Sequence, residues 1–393
     1  MLASVVLLHA LLPTVAAQEP DDAGAPVSGE SGSSETTVAE SRRPPRGARK
    51  EKSEKKPRSP EMERARERFH PVGLLQLWVT AYDQDVDVQA DPTGVGDVEA
   101  DPGVSLKRAR VGVEGEDSGF AYSVLFGLSA PYDGLDGSSG DVEVVDAALG
   151  YEKMGFGIAG GLTKVPFSRD QMMSAGELTF TERGLGTEYI APDRNLGLVG
   201  SAGRFGAKLT VGAFNSGGTV FGDDNDGKTL VGRLEYETGG NSYLTWGRGK
   251  AFTFGVGGGG FLTDDVSTRT TAFGGDALLR VVGISVLADV SYAALEPTHT
   301  DIDAPGVWEK TTRLGLTGQV GYALGDFEPA VRWTSLNDSA MGNYASIEGG
   351  VTWHTLYDDQ HRDRVRVGVG WVHRLEPTPM DNDTLRLWAQ FRP

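Results

Sequence analysis

From Pro71 onward, apolar side chains alternate with small, polar or charged ones in segments of about 8 to 13 residues. Val367 and Val369, for example, alternate with Arg366 and Gly368. A period of two is typical of antiparallel β-strands with two unlike faces. The pattern predicts sixteen strands, near 74–87, 104–116, 119–130, 141–152, 155–165, 195–202, 205–215, 228–237, 251–263, 268–280, 283–294, 312–323, 326–336, 344–354, 364–375 and 383–391.

The connections between these strands alternate in length. Tight turns such as 117–118 and 281–282 alternate with long loops such as 88–103 and 166–194. Two connections, 238–250 and 355–363, are long where the alternation predicts short turns. No apolar run reaches the 18 or so residues of a membrane-spanning helix, and strands cross a bilayer only as a closed sheet. Short turns at one end and long loops at the other are typical of bacterial outer-membrane barrels.

We therefore predict an all-β fold, a transmembrane antiparallel β-barrel of sixteen strands over 71–393, located in the bacterial outer membrane. The alternative is a large soluble β-sandwich or propeller. In a barrel the apolar face points to lipid, and aromatic residues near strand ends form girdles at the membrane interfaces. The candidates for these girdles are Trp78, Tyr82, Tyr151, Tyr292, Trp353 and Trp371.

The first 70 residues differ from the rest. Residues 2–17 form an apolar run that ends in small residues, which predicts a signal peptide over 1–17; a buried helix is the alternative. Residues 18–70 are poor in large apolar side chains and rich in Pro, Ser and charge, which predicts a disordered periplasmic arm. Twelve Lys and Arg lie between Arg42 and Arg68. The arm is either a solvated linker or a basic segment that contacts a cell-wall polyanion or enters the pore.

Composition excludes several functions. The chain has 55 Gly, no Cys and a formal net charge of −18. The absence of Cys excludes disulfides and thiol nucleophiles, and the acidity argues against a nucleic-acid partner. No nucleophile elbow, zinc-protease motif or phosphate-binding loop occurs. The sequence therefore predicts no enzymatic activity, no cofactor and no bound metal.

Several short motifs occur in an order that resembles the phosphate-selective porin O and P family. They are Leu106-Lys-Arg-Ala-Arg-Val-Gly-Val-Glu-Gly115, Gly161-Leu-Thr-Lys-Val-Pro-Phe-Ser168, Glu177-Leu-Thr-Phe-Thr-Glu-Arg183 and Asp193-Arg-Asn-Leu-Gly197. The resemblance implies a homotrimer of sixteen-stranded barrels in which a long loop, here 166–194, folds inward to narrow the channel. Residues 71–393 carry 25 Lys and Arg against 44 Asp and Glu, which is unlike a dedicated phosphate channel.

Charges at the constriction decide which ions a pore passes. Alternation places these arginines on the inner face: Arg108, Arg110, Arg313, Arg332, Arg366, Arg374 and Arg386. The inward loop and its edges add Lys164, Arg169, Arg183 and Arg194 against acids that include Glu177 and Glu182. The arginines either form a track for phosphate or carboxylate groups or pair with Glu114, Glu116, Glu328 and Glu348 to neutralise a wet interior.

The resulting hypothesis is a porin for passive diffusion of small hydrophilic solutes, with a general or weakly anion-preferring channel. Its expected partners are the lipid bilayer, lipopolysaccharide, and small hydrophilic or anionic solutes. The competing interpretation is a plugged barrel that acts as a receptor, an adhesin or a structural tether.

Overall fold

The computed structural model describes residues 69–82, 103–128, 142–216, 227–239, 243, 252–265, 268–298, 309–357, 363–377 and 383–392. The predicted signal peptide and almost all of the predicted arm lie outside these residues, as do most of the long loops. Predictions for those segments stay predictions.

Sixteen strands form a closed barrel, as the alternation predicts. Each strand pairs antiparallel with its neighbours in sequence, and β1 closes the sheet on β16, with Leu75 opposite Phe391. The strands are β1 His70–Tyr82, β2 Gly103–Asp117, β3 Phe120–Leu128, β4 Val142–Lys153, β5 Phe156–Lys164, β6 Arg194–Arg204, β7 Ala207–Asn215, β8 Lys228–Thr238, β9 Thr253–Asp264, β10 Thr268–Val281, β11 Ile284–Pro297, β12 Thr311–Tyr322, β13 Phe327–Asp338, β14 Gly342–Tyr357, β15 Asp363–Leu375 and β16 Thr384–Phe391.

The two faces of the sheet have the polarity of a membrane barrel. On β15, Val367, Val369 and Trp371 are 38–41% exposed on the outside, whereas Arg366, which precedes Val367, is 1% exposed on the inside. Polar side chains such as Gln76 and Gln390 are likewise buried in the interior. An apolar exterior around a polar interior needs a hydrocarbon environment, since large apolar side chains are otherwise withdrawn from water.

A β-bulge in β2 changes the orientation that strict alternation assigns. The register moves between the pairs Gln76–Arg108 and Leu77–Leu106, which makes Lys107 the extra residue of the bulge. The extra residue lets Lys107 point inward together with Arg108. The Lys107 ammonium lies 4.4 Å from the centre of the Trp78 ring.

The prediction of Trp78 as a girdle residue is therefore wrong. Its side chain is 3% exposed and faces the lumen, where it contacts cations. Tyr292, Trp353 and Trp371 are 37–48% exposed on the outer face, as girdle residues should be.

The connection between β5 and β6 carries the only helical segments among the described residues. They are α1 at Arg169–Met172, a 3₁₀ turn at Ala175–Glu177 and α2 at Leu185–Ile190. Within the described ranges, no helix is long and apolar enough to span a membrane. Lys164 ends β5 and pairs with Arg194, the first residue of β6. The predicted inward loop thus runs over 165–193, and Arg194 belongs to the wall rather than to the loop.

Candidate functional site

The loop 165–193, called here the inward loop, packs against the inner wall through Phe167. This side chain is fully buried, and its ring meets that of Phe261 edge to face at a centroid distance of 5.1 Å. A Cβ on Gly259 would lie 2.7 Å from the Phe167 carbonyl oxygen, and a Cβ on Gly274 would lie 3.1 Å from its ring. The inner faces of β9 and β10 therefore carry glycine where the loop backbone approaches the wall.

The second half of the inward loop docks in the same way. A Cβ on Gly186 of α2 would lie 2.8 Å from the Cα of Gly315 on β12. The backbone of Leu185 donates a hydrogen bond to the Thr334 hydroxyl on β13 at 2.8 Å. Close contact between two glycines fixes the position of α2 against β12, because any side chain there would push the helix into the lumen.

A buried charge cluster, called here the loop latch, holds α1. Asp276 on β10 accepts two hydrogen bonds from the Arg233 guanidinium at 2.6 and 3.0 Å, and one from Arg169 Nε at 2.9 Å. Arg169 is fully buried and also donates to Glu237 at 3.1 Å. The ring of Tyr243, on the connection between β8 and β9, lies 5.0 Å from the Arg169 guanidinium. Ion pairing and hydrogen bonding of this kind offset the free-energy cost of burying these charged side chains.

Arginines of the wall donate to main-chain carbonyls of the inward loop. Arg366 donates to Leu178 and Gly176 at 2.9 Å each, and Arg332 donates to Glu182 at 2.6 Å. Further bonds run from Arg108 to Thr181 at 2.9 Å, from Arg313 to Tyr189 at 3.0 Å and from Arg233 to Phe167 at 2.7 Å. A loop inside the lumen has no neighbouring strand to donate hydrogen bonds to its carbonyls. These arginines supply the missing donors and so fix the position of the loop.

Two basic residues, one directly before the inward loop and one within it, donate hydrogen bonds to main-chain carbonyls of the loop. Lys164 donates to the carbonyls of Gln171 and Met172 at 2.8 and 3.2 Å. Arg183 donates to those of Asp170 and Met173 at 3.0 and 2.7 Å. Of the acids proposed as neutralising partners, Glu348 binds Arg332: Nη2 of Arg332 donates to both carboxylate oxygens of Glu348, at 2.6 and 2.7 Å.

The predicted loop carboxylates also meet wall cations. Glu177 lies 2.5 Å from Arg392, and Glu182 lies 3.0 Å from Lys107 and 3.2 Å from Arg386. Burial alone would raise the pKa of Glu182, but Lys107 and Arg386 outweigh it and lower this pKa from 4.5 to about 2. Glu182 is therefore ionised across the neutral range.

Arg110 and Arg194 are arranged differently, because neither side chain donates to a main-chain carbonyl of the inward loop in the part of the chain that the structure describes. Arg194 is 19% exposed and pairs with Asp146 at 3.0 Å. Among the described residues, Arg110 has no hydrogen-bond or ion-pair partner, and its electrostatic neighbours are Arg194, Arg108, Arg183 and one acid, Asp146. We call Arg108, Arg110, Arg183 and Arg194 the arginine cluster. Arg183 also has the acidic neighbours Asp170, Glu188 and Asp193, so the excess of positive charge is centred on Arg110, where three other arginines face one carboxylate. A positive potential there attracts anions.

Sequence reasoning missed the loop latch and Lys107. Arg233 and Asp276 have the inward parity of their strands, so alternation could have selected them as lumenal charges. The contact between Asp276 and Arg169 joins residues 107 positions apart in sequence, which periodicity does not encode. Lys107 had a local signal, because a lysine in the lipid-facing phase of a strand breaks the expected pattern.

A closed antiparallel barrel of sixteen strands with an inward loop defines the architectural class of the outer-membrane porins. The solved structures of similar fold include OmpF of Salmonella typhi in complex with daunomycin, with a TM-score of 0.56 and 14% identity over 83% of this chain and 97% of that one. OmpT of Vibrio cholerae in its trimer form gives a TM-score of 0.55 and 13% identity, over 83% and 99%. An anion-selective porin from Comamonas acidovorans gives 0.50 and 11%, over 83% and 98%.

Residues 81–254 match the family described as phosphate-selective porin O and P. The resemblance carried by the short motifs is confirmed. The chain matches none of the curated proteins with which it was compared. The barrel and the family together place the protein in the bacterial outer membrane.

Replacing Asp276 by alanine should release the loop latch. Two buried guanidinium groups would lose their shared carboxylate, which typically destabilises a protein by about 3–5 kcal/mol. The free energy of unfolding by urea in lipid vesicles measures the effect. Asp264→Ala is the matched control, since Asp264 pairs with Arg269 on the exposed rim at 3.1 Å, where solvent screens the pair and its loss should change stability little. Equal losses in both variants would contradict the latch.

The contact of Glu182 with Lys107 and Arg386 should depend on pH with a definite sign. Since folding lowers the pKa of Glu182, its stabilising contribution is complete above the unfolded value of 4.5 and is lost as the pH falls toward about 2. The difference in unfolding free energy between the wild type and Glu182→Gln should be constant from pH 8 to 5 and shrink below that. A difference that instead changes near pH 7 would contradict this assignment.

Proposed function

We propose that this protein is an outer-membrane porin through which small hydrophilic solutes diffuse passively, with a preference for anions and without enzymatic activity. The observation that carries the anion preference is the arginine cluster beside the inward loop, where Arg110 has no direct acidic partner among the described residues. A hydrated anion that enters this part of the lumen meets guanidinium groups, which suit phosphate and carboxylate groups through paired hydrogen bonds.

The remaining arginines of the predicted track have a different role in this proposal. Arg366, Arg332 and Arg313 donate to loop carbonyls, so they set the width and shape of the channel rather than its ion preference. The charge that a passing ion meets then depends chiefly on Arg110 and Arg194, together with the partly exposed Lys107 and Glu182.

Ion selectivity tests this proposal directly. In planar bilayers we expect steady ohmic steps, and in a KCl gradient a reversal potential that favours chloride. Arg110→Ala combined with Arg194→Ala should lower the chloride-to-potassium permeability ratio by about three- to tenfold, because the potential at the cluster falls. The control is Arg269→Ala combined with Lys310→Ala, which removes the same charge from exposed rim pairs.

Two results would contradict the proposal in different ways. An unchanged permeability ratio in the cluster variant would remove the arginine cluster as the selectivity element. Electrical silence of the folded wild type would favour the alternative of a plugged barrel that serves as a receptor, an adhesin or a structural tether.

The proposed assembly is a homotrimer in a bilayer with lipopolysaccharide in its outer leaflet. The similar fold of OmpT of Vibrio cholerae, solved in a trimer form, supports this assembly. Native mass spectrometry of the detergent-solubilised protein should therefore give the mass of three chains, and a monomer mass under mild conditions would contradict it. Contact between the arm and the cell wall stays a prediction.

A further inference from the structure

The two-residue turns at one end of the barrel contain unusual residues. Ser118-Gly119, Met154-Gly155, Phe205-Gly206 and Val282-Gly283 all have positive φ at both positions, between 50° and 56° at the first and between 80° and 86° at the second. This combination is the type I′ turn, which favours Asn, Asp or Gly at its first position. A bulky or β-branched residue at positive φ is disfavoured on steric grounds. Three of the four turns nevertheless have Met, Phe or Val there.

These side chains do not contribute to packing within the barrel. Met154 and Phe205 are each 83% exposed, and Val282 is 76% exposed. Neither the turn conformation nor the barrel interior accounts for apolar residues at these positions. An apolar side chain that is kept in a disfavoured conformation and left exposed indicates contact with something outside the chain.

Two of the turns lie side by side and carry basic residues. The backbone N–H of Gly203 donates to the Gly155 carbonyl at 2.8 Å, which joins the turn after β4 to the turn after β6. Lys153 and Arg204 precede the two apolar residues, and neither forms an ion pair with any described residue. The Arg204 guanidinium lies 4.5 Å from the centre of the Phe205 ring. We call Lys153, Met154, Arg204 and Phe205 the turn patch.

The patch lies close to the membrane interface. Short turns mark the periplasmic end of such barrels. Tyr236, which is 43% exposed on the outer face, pairs with Ala207, two residues beyond Phe205. Aromatic residues at strand ends lie at headgroup level. Two residues span about 7 Å along a strand, or about 5 Å along the membrane normal at the usual strand tilt. The headgroup layer is roughly 5–7 Å thick on each side, so the patch lies within it.

We propose that the turn patch binds anionic phospholipid of the inner leaflet. Lys153 and Arg204 bind the phosphate group, and Met154 and Phe205 insert beside the upper part of the acyl chains. The charge complementarity and the height of the patch favour a lipid over a second protein. This binding site is separate from the channel, so the inference does not depend on the proposed solute preference.

The test uses substitutions that the turns themselves should favour. Met154→Asn combined with Phe205→Asn installs Asn-Gly in both type I′ turns, which should preserve or improve folding. We expect the urea midpoint to be unchanged or higher in dodecylmaltoside micelles and lower in phosphatidylglycerol vesicles. Ser118→Asn is the matched control, since it makes the same change in a turn whose first residue is already polar. Its midpoint should move in the same direction in both media.

A second variant tests the charge. Wild-type protein should fold into phosphatidylglycerol vesicles with a yield at least threefold above that in phosphatidylcholine, and Lys153→Gln combined with Arg204→Gln should abolish this ratio. The proposal is overturned if the Asn pair raises the midpoint equally in micelles and vesicles, or if the Gln pair keeps the wild-type lipid preference. Single-channel conductance should be the same in all these variants, which separates this outcome from a failure of the porin proposal.

Discussion

The hydrogen bonding of a loop backbone inside a barrel is the constraint on which the rest of the structure depends. The N–H and C=O groups of each strand form hydrogen bonds with the neighbouring strands. The carbonyls of the inward loop have no adjacent strand to donate to them. Guanidinium groups from the wall take that place, as in the bonds from Arg366 to Leu178 and Gly176. Because these donors are themselves buried, they in turn require acids such as Glu348 and Asp276. The loop, the cations and the carboxylates therefore form one interdependent set.

The arginines of the barrel therefore have two roles, and only those that do not bind the loop influence ion selectivity. A basic wall suggests a path for anions, yet most of its charge is engaged in holding the loop. Arg110 and Arg194 are the exceptions, since among the described residues neither side chain donates to the inward loop. The net negative charge of the chain then has little influence on a passing ion, because distant surface charges are screened while those at the constriction are not.

The sequence predicts the barrel well because alternation in each strand is a local property. It yields the sixteen strands, their faces and the lumenal position of residues such as Arg332 and Arg366. It fails where one extra residue shifts the phase, as at Lys107, and where aromatic residues line the lumen, as Trp78 does. The alternation pattern also does not predict which side chains contact each other. It gives the face of the sheet on which Asp276 lies but not the distance between Asp276 and Arg169. The adjacency of the turns after β4 and β6 likewise follows only from the closed sheet.

The connection between β8 and β9 is long at the end where short turns prevail, and Tyr243 within it reaches the underside of the inward loop. Its hydroxyl donates to Glu235 while its ring faces Arg169. Segments entering from opposite mouths of the barrel thus meet at a single guanidinium. Contacts between residues so distant in sequence carry a loop-closure cost, which falls once the intervening hairpins have formed. During biogenesis the lumen should accordingly be widest just after closure and reach its final bore last, when Arg169 engages its partners from both sides.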